Sequence, residues 1–172
     1  MSRMKHVLPD VLGPGLRVVF CGSAVGPESF RRQAYYAHPR NRFWATLHEI
    51  GLTPRRFAPQ EYRQLKELGI GLTDLAKHRH GMDTVLKKAD YDADALTGKI
   101  MAYQPQVLAF VGKKPGGAFM ARKFGLKTCA YGLQARHIDA TALFILPSPS
   151  PANPGHWDVQ PWRDLASFLK RQ

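Results

Sequence analysis

A chain of 172 residues with 44% apolar content can bury one sizeable core but not two ordinary ones, so a single domain over residues 1–172 is expected. No apolar run reaches the length of about eighteen residues that a membrane span needs, and Met1 to Asp10 lack the apolar stretch of a secretion signal, so a cytoplasmic protein with no membrane partner is expected. Lys and Arg number 25 against 13 Asp and Glu, and the resulting charge of +12 points to a polyanionic partner.

In chain order, residues 16–21 form a short apolar run of the kind that makes a buried parallel strand, and a glycine loop, Gly22-Ser23-Ala24-Val25-Gly26, follows it. Next comes Tyr35-Tyr36-Ala37-His38-Pro39-Arg40-Asn41-Arg42-Phe43-Trp44, opening a helix predicted over residues 40–50 that carries Phe43, Leu47 and Ile50 on one side and stops at Gly51. Aromatic faces and guanidinium groups at this spacing suit a site that grips a nucleobase and its backbone. Rings at helical spacing are, on their own, more often core. Further helices are predicted over residues 60–68, 93–103, 115–124 and 161–169, and strands over 107–111, 142–146 and, more weakly, 127–131. Residues 77–92 are polar and read as a mobile stretch.

This alternation predicts an α/β fold, a three-layer α/β/α sandwich with a central, mostly parallel four-stranded sheet. Such sheets bind ligands beyond the carboxyl ends of their strands. The loop at Gly22 to Gly26 and the later Pro147-Ser148-Pro149-Ser150-Pro151-Ala152-Asn153 both fall there. Prolines 147, 149, 151 and 154 stiffen the second loop, which either pre-positions hydroxyls and backbone amides for a ligand or serves as a polyproline-type connector. The first loop lacks the Gly-Lys-Ser/Thr ending of a phosphate loop and the third glycine of a dinucleotide fingerprint, so nucleotide hydrolysis and hydride transfer lose their usual support. Cys21 and Cys129 read as small core residues and are too few for a zinc or iron-sulfur site.

Taken together, these segments resemble the uracil-DNA glycosylase superfamily. The block from Pro14 to Trp44 is similar to the mismatch-specific uracil-DNA glycosylase branch, and Leu-Pro-Ser-Pro-Ser-Pro-Ala-Asn at Leu146 to Asn153 is similar to the hypoxanthine-DNA glycosylase branch. Weaker similarity runs through Gly71-Leu72-Thr73-Asp74, Tyr103-Gln104-Pro105-Gln106 and Val111-Gly112-Lys113. The resemblance implies a monofunctional enzyme that flips a damaged base out of DNA and hydrolyses its N-glycosidic bond without cofactor or metal, leaving an abasic site in base excision repair. It implies a base pocket from Gly22, Ser23, Ala24, Gly26 and Tyr36, with Tyr36 stacking on the base and a backbone group of Ser23 on its polar edge. Ser150, Pro151, Ala152 and Asn153 are implied to press into the DNA, and Arg40 and Lys113 to hold it.

Two positions depart from the family pattern. The first motif usually carries Asp or Asn where this chain has Ala24, and the second often carries His or Asn where it has Ser148. Asn41, which matches the helix-borne asparagine, is then the expected water-orienting group. Asp74 is the alternative if its turn reaches the pocket, although it reads more readily as a helix cap. Ser148 is the third candidate catalytic group, and His38 is expected to fix the turn before Pro39. Gly26 stands where the strictly uracil-specific branch has a tyrosine, which implies a broader substrate range. The expected partner is DNA containing uracil or other damaged bases, bound by a monomer in the cytoplasm at a bacterial nucleoid, with the basic stretch from Lys77 to Lys88 contributing. A catalytically weak or inactive lesion-binding protein is the alternative reading.

Overall fold

The computed structural model describes residues 7–77, 91–152 and 154–172. In chain order it contains β1 (Val18–Gly22), α1 (Pro27–Arg32), α2 (Phe43–Glu49), a 3-10 helix (Pro59–Leu68), β2 (Ile70–Asp74), α3 (Ala93–Tyr103), β3 (Val107–Val111), α4 (Lys113–Phe124), β4 (Gly132–Ile138), β5 (Thr141–Leu146), a 3-10 turn (Pro154–His156) and α5 (Gln160–Lys170). The sheet has five strands in the order β2-β1-β3-β5-β4. β1 pairs in parallel with β2 and β3, β3 pairs in parallel with β5, and β4 runs antiparallel to β5.

Strand side chains alternate between two faces, and both faces are covered, which is why β1, β3 and β5 read as continuous apolar runs. Val18, Phe20, Val107, Ala109 and Phe144 meet Phe43 and Leu47 of α2, Leu65 of the 3-10 helix and Trp162 of α5. Val19, Cys21, Leu108, Phe110 and Ile145 meet Leu96 and Ile100 of α3 and Phe119 and Met120 of α4. The result is the expected α/β/α sandwich. α5 buries Trp162, Leu165, Ala166 and Leu169, an i, i+3, i+4, i+7 stripe, with Pro161 in its first turn. α4 approaches the sheet closely at Gly116, where a Cβ would lie 2.8 Å from Ile145 Cγ1.

Two strands differ from the sequence-based expectation. β2 is a full strand rather than a turn. Its apolar run is broken by Gly71, whose missing side chain admits the Val11 carbonyl to within 2.6 Å of where a Cβ would stand. The strand expected over 127–131 is instead β4, which begins only at Gly132. As the antiparallel edge it is largely solvent-facing and carries Gln134, Arg136 and His137, so no apolar run marks it. The helix expected from residue 40 starts only at Phe43, because the Asn41 side-chain Oδ1 accepts the Phe43 amide at 2.9 Å and holds the preceding residues in a turn. Most of the polar stretch read as mobile, residues 78–90, lies outside the described residues.

An aromatic chain crosses the first core layer toward the carboxyl end of β1. Phe20 stacks on Trp162 at 5.7 Å and meets Phe43 edge-on at 5.4 Å, and Phe43 in turn stacks on Tyr36 at 4.0 Å. Phe43 is fully buried. Phe43→Ala is therefore expected to lower the unfolding free energy by about 3–5 kcal/mol, and Phe43→Leu by less than half as much. Denaturant unfolding of the variants measures both.

Candidate active site

The first loop leaves β1 at Gly22 and is pinned against the end of β2. The Gly22 and Ser23 carbonyls accept the amides of Leu75 at 2.9 Å and Ala76 at 2.7 Å. The second loop leaves β5, two strands away, and is fastened at both ends. Pro147 accepts the Trp162 indole N–H at 3.1 Å, and the Pro149 carbonyl accepts the Arg42 amide at 3.0 Å. That last bond ties the loop to the turn between Tyr36 and Phe43. The first loop and the nearby turn thus enclose, with a loop more than a hundred residues later, one cleft of about 590 Å³.

Gly22, Ser23, Ala24, Gly26, Tyr36, Arg40, Asn41, Ser148, Ser150, Pro151 and Ala152 all line this cleft. Two DNA-holding candidates remain. Asn153 lies outside the described residues. The Lys113 ammonium sits 4.4 Å over the Tyr131 ring, and its neighbour Lys114 lines the cleft instead. Sequence reasoning also passed over Glu28 and Ser29, which reach the cleft because α1 begins immediately after Gly26. Pro27 at the start of that helix was the available signal.

Tyr36 is held in a left-handed backbone conformation, φ 52°. One face of its ring lies against Phe43, and the ring is half-buried while its hydroxyl is enclosed and has no hydrogen-bond partner among the described residues. Burial pushes the Tyr36 phenol well above its usual pKa, with the Asp74 carboxylate adding to the shift. Gly22 separates the two groups. A Cβ at Gly22 would stand 3.1 Å from Asp74 Oδ1 and 3.3 Å from the Tyr36 hydroxyl, so the bare backbone is what lets both pack there.

Asp74 closes β2 and caps none of the described helices. It stands behind Gly22 and does not line the cleft. Burial raises its pKa, an effect partly offset by Lys77, whose ammonium lies 3.3 Å from Asp74 Oδ2. Lys77 also meets Asp10 at 2.9 Å and donates to the Tyr35 hydroxyl at 3.0 Å, while Lys99 meets Asp10 at 2.7 Å. Burial works against the Lys77 charge, but Asp74 and Asp10 outweigh it and raise its pKa. Lys77 is therefore a core ion and not the DNA-facing charge its polar surroundings suggest. Its pairing holds the end of β2 against which the first loop is pinned.

The turn between Tyr36 and Phe43 is bonded within itself. His38 Nδ1 accepts the Arg40 amide at 3.0 Å, fixing the turn as expected and leaving the ring proton on Nε2, and His38 also lines the cleft. In the second loop Ser148 Oγ accepts the Ser150 amide and Ser150 Oγ accepts the Ala152 amide, each at 3.2 Å. Both hydroxyl protons remain to be donated. Glu28 is the one carboxylate among the cleft-lining residues, and its hydrogen bond to Arg31, followed by its pairing with Arg32, holds its pKa below the usual range. Among the described residues no group of three or more His, Cys, Asp or Glu gathers as metal ligands, and no described helix is long and apolar enough to cross a membrane.

The cleft therefore joins a stacking ring, hydroxyl and imidazole donors and an asparagine beneath a basic rim. Residues 9–166 match the model of the uracil DNA glycosylase superfamily, and the chain belongs to that superfamily. Among solved structures it is similar to the solution NMR structure of a candidate uracil DNA glycosylase from Methanosarcina acetivorans, at 24% identity and a TM-score of 0.65, covering 97% of this chain and 98% of that one. That likeness speaks for the fold. Membership supports DNA glycosylase activity in general, since the family acts on DNA.

Removing the buried ammonium would leave two carboxylates with Lys99 as the one cation paired with either among the described residues. Lys77→Met is expected to cost about 3–5 kcal/mol of stability. Adding Asp74→Asn should restore part of the loss, and a double-mutant cycle by thermal or denaturant unfolding reads the coupling.

Proposed function

We propose that this protein is a monofunctional DNA glycosylase that flips out uracil and other deaminated or damaged bases and hydrolyses the N-glycosidic bond to leave an abasic site, as a cofactor-free monomer in cytoplasmic base excision repair. The carrying observation is the assembly of Tyr36, Asn41 and the Gly22 to Gly26 loop opposite Ser148 to Ala152 around one cleft. A base lying on the exposed side of Tyr36 would place its polar edge among the hydroxyl protons of Ser148 and Ser150 and the Nε2–H of His38. These donors suit a departing base that gathers negative charge in a site shielded from water.

The chemistry has to run without a strong base. Ala24 supplies no carboxylate, and Glu28 is held ionised by two arginines, which makes it a weak proton acceptor. A bond that breaks ahead of water attack tolerates this, because the sugar cation reacts with a water that is merely well placed. Asn41 fits the placing role. Its Oδ1 spends one lone pair on the Phe43 amide at 2.9 Å, which fixes the side chain and leaves the second lone pair and the amide N–H groups for water and base.

Incubating the protein with oligonucleotides carrying uracil, hypoxanthine, xanthine or etheno-cytosine, then treating with alkali, tests the reading. Strand breaks at the lesion are expected only after alkali, and equally in EDTA. No alkali-labile product from any of the four would sink the enzyme and leave the lesion-binding alternative. Asn41→Ala is expected to slow single-turnover base release roughly 100-fold or more, with much smaller change in DNA affinity. Equal loss in both would mean that Asn41 only shapes the turn.

Substrate breadth follows from one open position. A Cβ at Gly26 meets no atom within 4 Å, so the cleft has room beside the base there. Gly26→Tyr is expected to narrow the range toward uracil, read as a fall in release of the larger bases relative to uracil on the same oligonucleotide panel.

A further inference from the structure

A second cavity, of about 370 Å³, lies on the other side of the turn that carries the base-stacking ring. Tyr36, His38 and Asn41 line both cavities, so one short stretch of backbone is their common wall. The second cavity has an apolar floor that includes the buried Trp44 and Phe57 together with Pro59, and Arg32 and Arg56 at its exposed edge. No carboxylate lines it.

The two arginines are differently placed from their neighbours. Arg55 is committed to Glu61 and lies 4.5 Å over the Phe57 ring. Arg56 has no carboxylate partner among the described residues. Arg32 gives only its Nε to Glu28, at 3.0 Å, and keeps its terminal nitrogens for another acceptor. A concave apolar floor with unspent guanidinium groups at its edge matches one ligand chemistry well, a flat ring attached to an anionic backbone. Water alone would hydrate the arginines but would not favour the apolar floor.

We propose that this cavity is a second nucleotide subsite, which takes the nucleotide next to the flipped one on the same DNA strand, with Arg32 and Arg56 on its phosphates. The inference rests on the reading that the main cleft receives an everted base. Because the two cavities share a wall, a strand that crosses the turn between Tyr36 and Asn41 places successive nucleotides on its two sides. Recognition here is of backbone and ring face, so it is indifferent to the identity of the neighbouring base.

The test is a binding series that needs no cleavage. Single-stranded oligonucleotides carry an uncleavable 2′-fluorinated lesion nucleotide and are lengthened one nucleotide at a time on either side of it, and affinity is read by fluorescence anisotropy at several salt concentrations. The native chain is expected to gain roughly fivefold or more from the first nucleotide added on one side and much less on the other. An Arg32→Gln, Arg56→Gln double variant should lose that one-sided gain. Its slope of log affinity against log salt should shrink by about 1.4, two cations at roughly 0.7 each on a single strand. Lys123→Gln, on the exposed last turn of α4, is the control for one surface charge lost elsewhere. A one-sided gain that survives in the double variant overturns the proposal, and so does a slope no different from that of the Lys123→Gln control. Base release by the native chain, scored separately, judges the glycosylase reading, so failure of either is distinguishable from failure of the other.

Discussion

The stack of Tyr36 on Phe43 is the contact through which the fold acts on the cleft. Phe43 belongs to the first turn of α2 and is wedged between Phe20 of β1 and Trp162 of the last helix. Its outer face, 4.0 Å from Tyr36, is therefore as fixed as the core itself. Tyr36 reaches that face only by taking a left-handed backbone conformation, which a tyrosine adopts at some energetic cost. Aromatic packing worth about 0.5–1.5 kcal/mol beyond simple burial offsets part of this cost. What the strain secures is a ring held in one orientation at the cleft wall, with little rotamer entropy left to lose.

A similar logic governs the loop beside it. The carboxyl ends of β1 and β2 carry Gly22 and Asp74 side by side, in register. Asp74 is buried, so its charge needs a partner, and Lys77 comes three residues later to meet it within the core. Such pairs seldom add much net stability, because both ions are stripped of water. They do narrow the choice of geometry. With Lys77 also bound to Asp10, the amides of Leu75 and Ala76 are held where they capture the Gly22 and Ser23 carbonyls. The buried network lies behind the cleft and acts through the backbone position of the first loop.

The sequence shows those parts of the fold whose burial is two-sided. The runs at 107–111 and 142–146 match β3 and all but the first residue of β5, because a strand covered on both faces must be apolar throughout. β2 and β4 escape for opposite reasons: one gave up a side chain at Gly71 to let the Val11 carbonyl in, and the other lies at an exposed edge. In the site, loop residues with unusual chemistry could be read as a group, since Ser148, Ser150 and Asn41 have no reason to recur in a core. The environment of a charge could not. Lys77 looks like one of many surface lysines until Asp10, sixty-seven positions earlier in the chain, is seen beside it. Glu28 likewise enters the cleft only through the direction in which α1 departs.

The missing acid in the first motif is coherent with the rest of the cleft. A carboxylate at position 24 would add negative charge to a pocket whose ligand brings phosphates, and would need solvation or a cation to hold it ionised. The structure places its cleft carboxylate at Glu28 instead and neutralises it at once with Arg31 and Arg32. Arg40 and Lys114, by contrast, have no carboxylate partner among the described residues and line the same cleft. The local field there favours anions and so suits a DNA backbone, while the one cleft-lining carboxylate is tied up with arginines and is not free to take a proton from water. On the proposed reading, such a cleft contributes more by helping the base depart than by activating the nucleophile. Neutral donors on a rigid proline loop and a fixed asparagine amide are sufficient equipment for that division of labour.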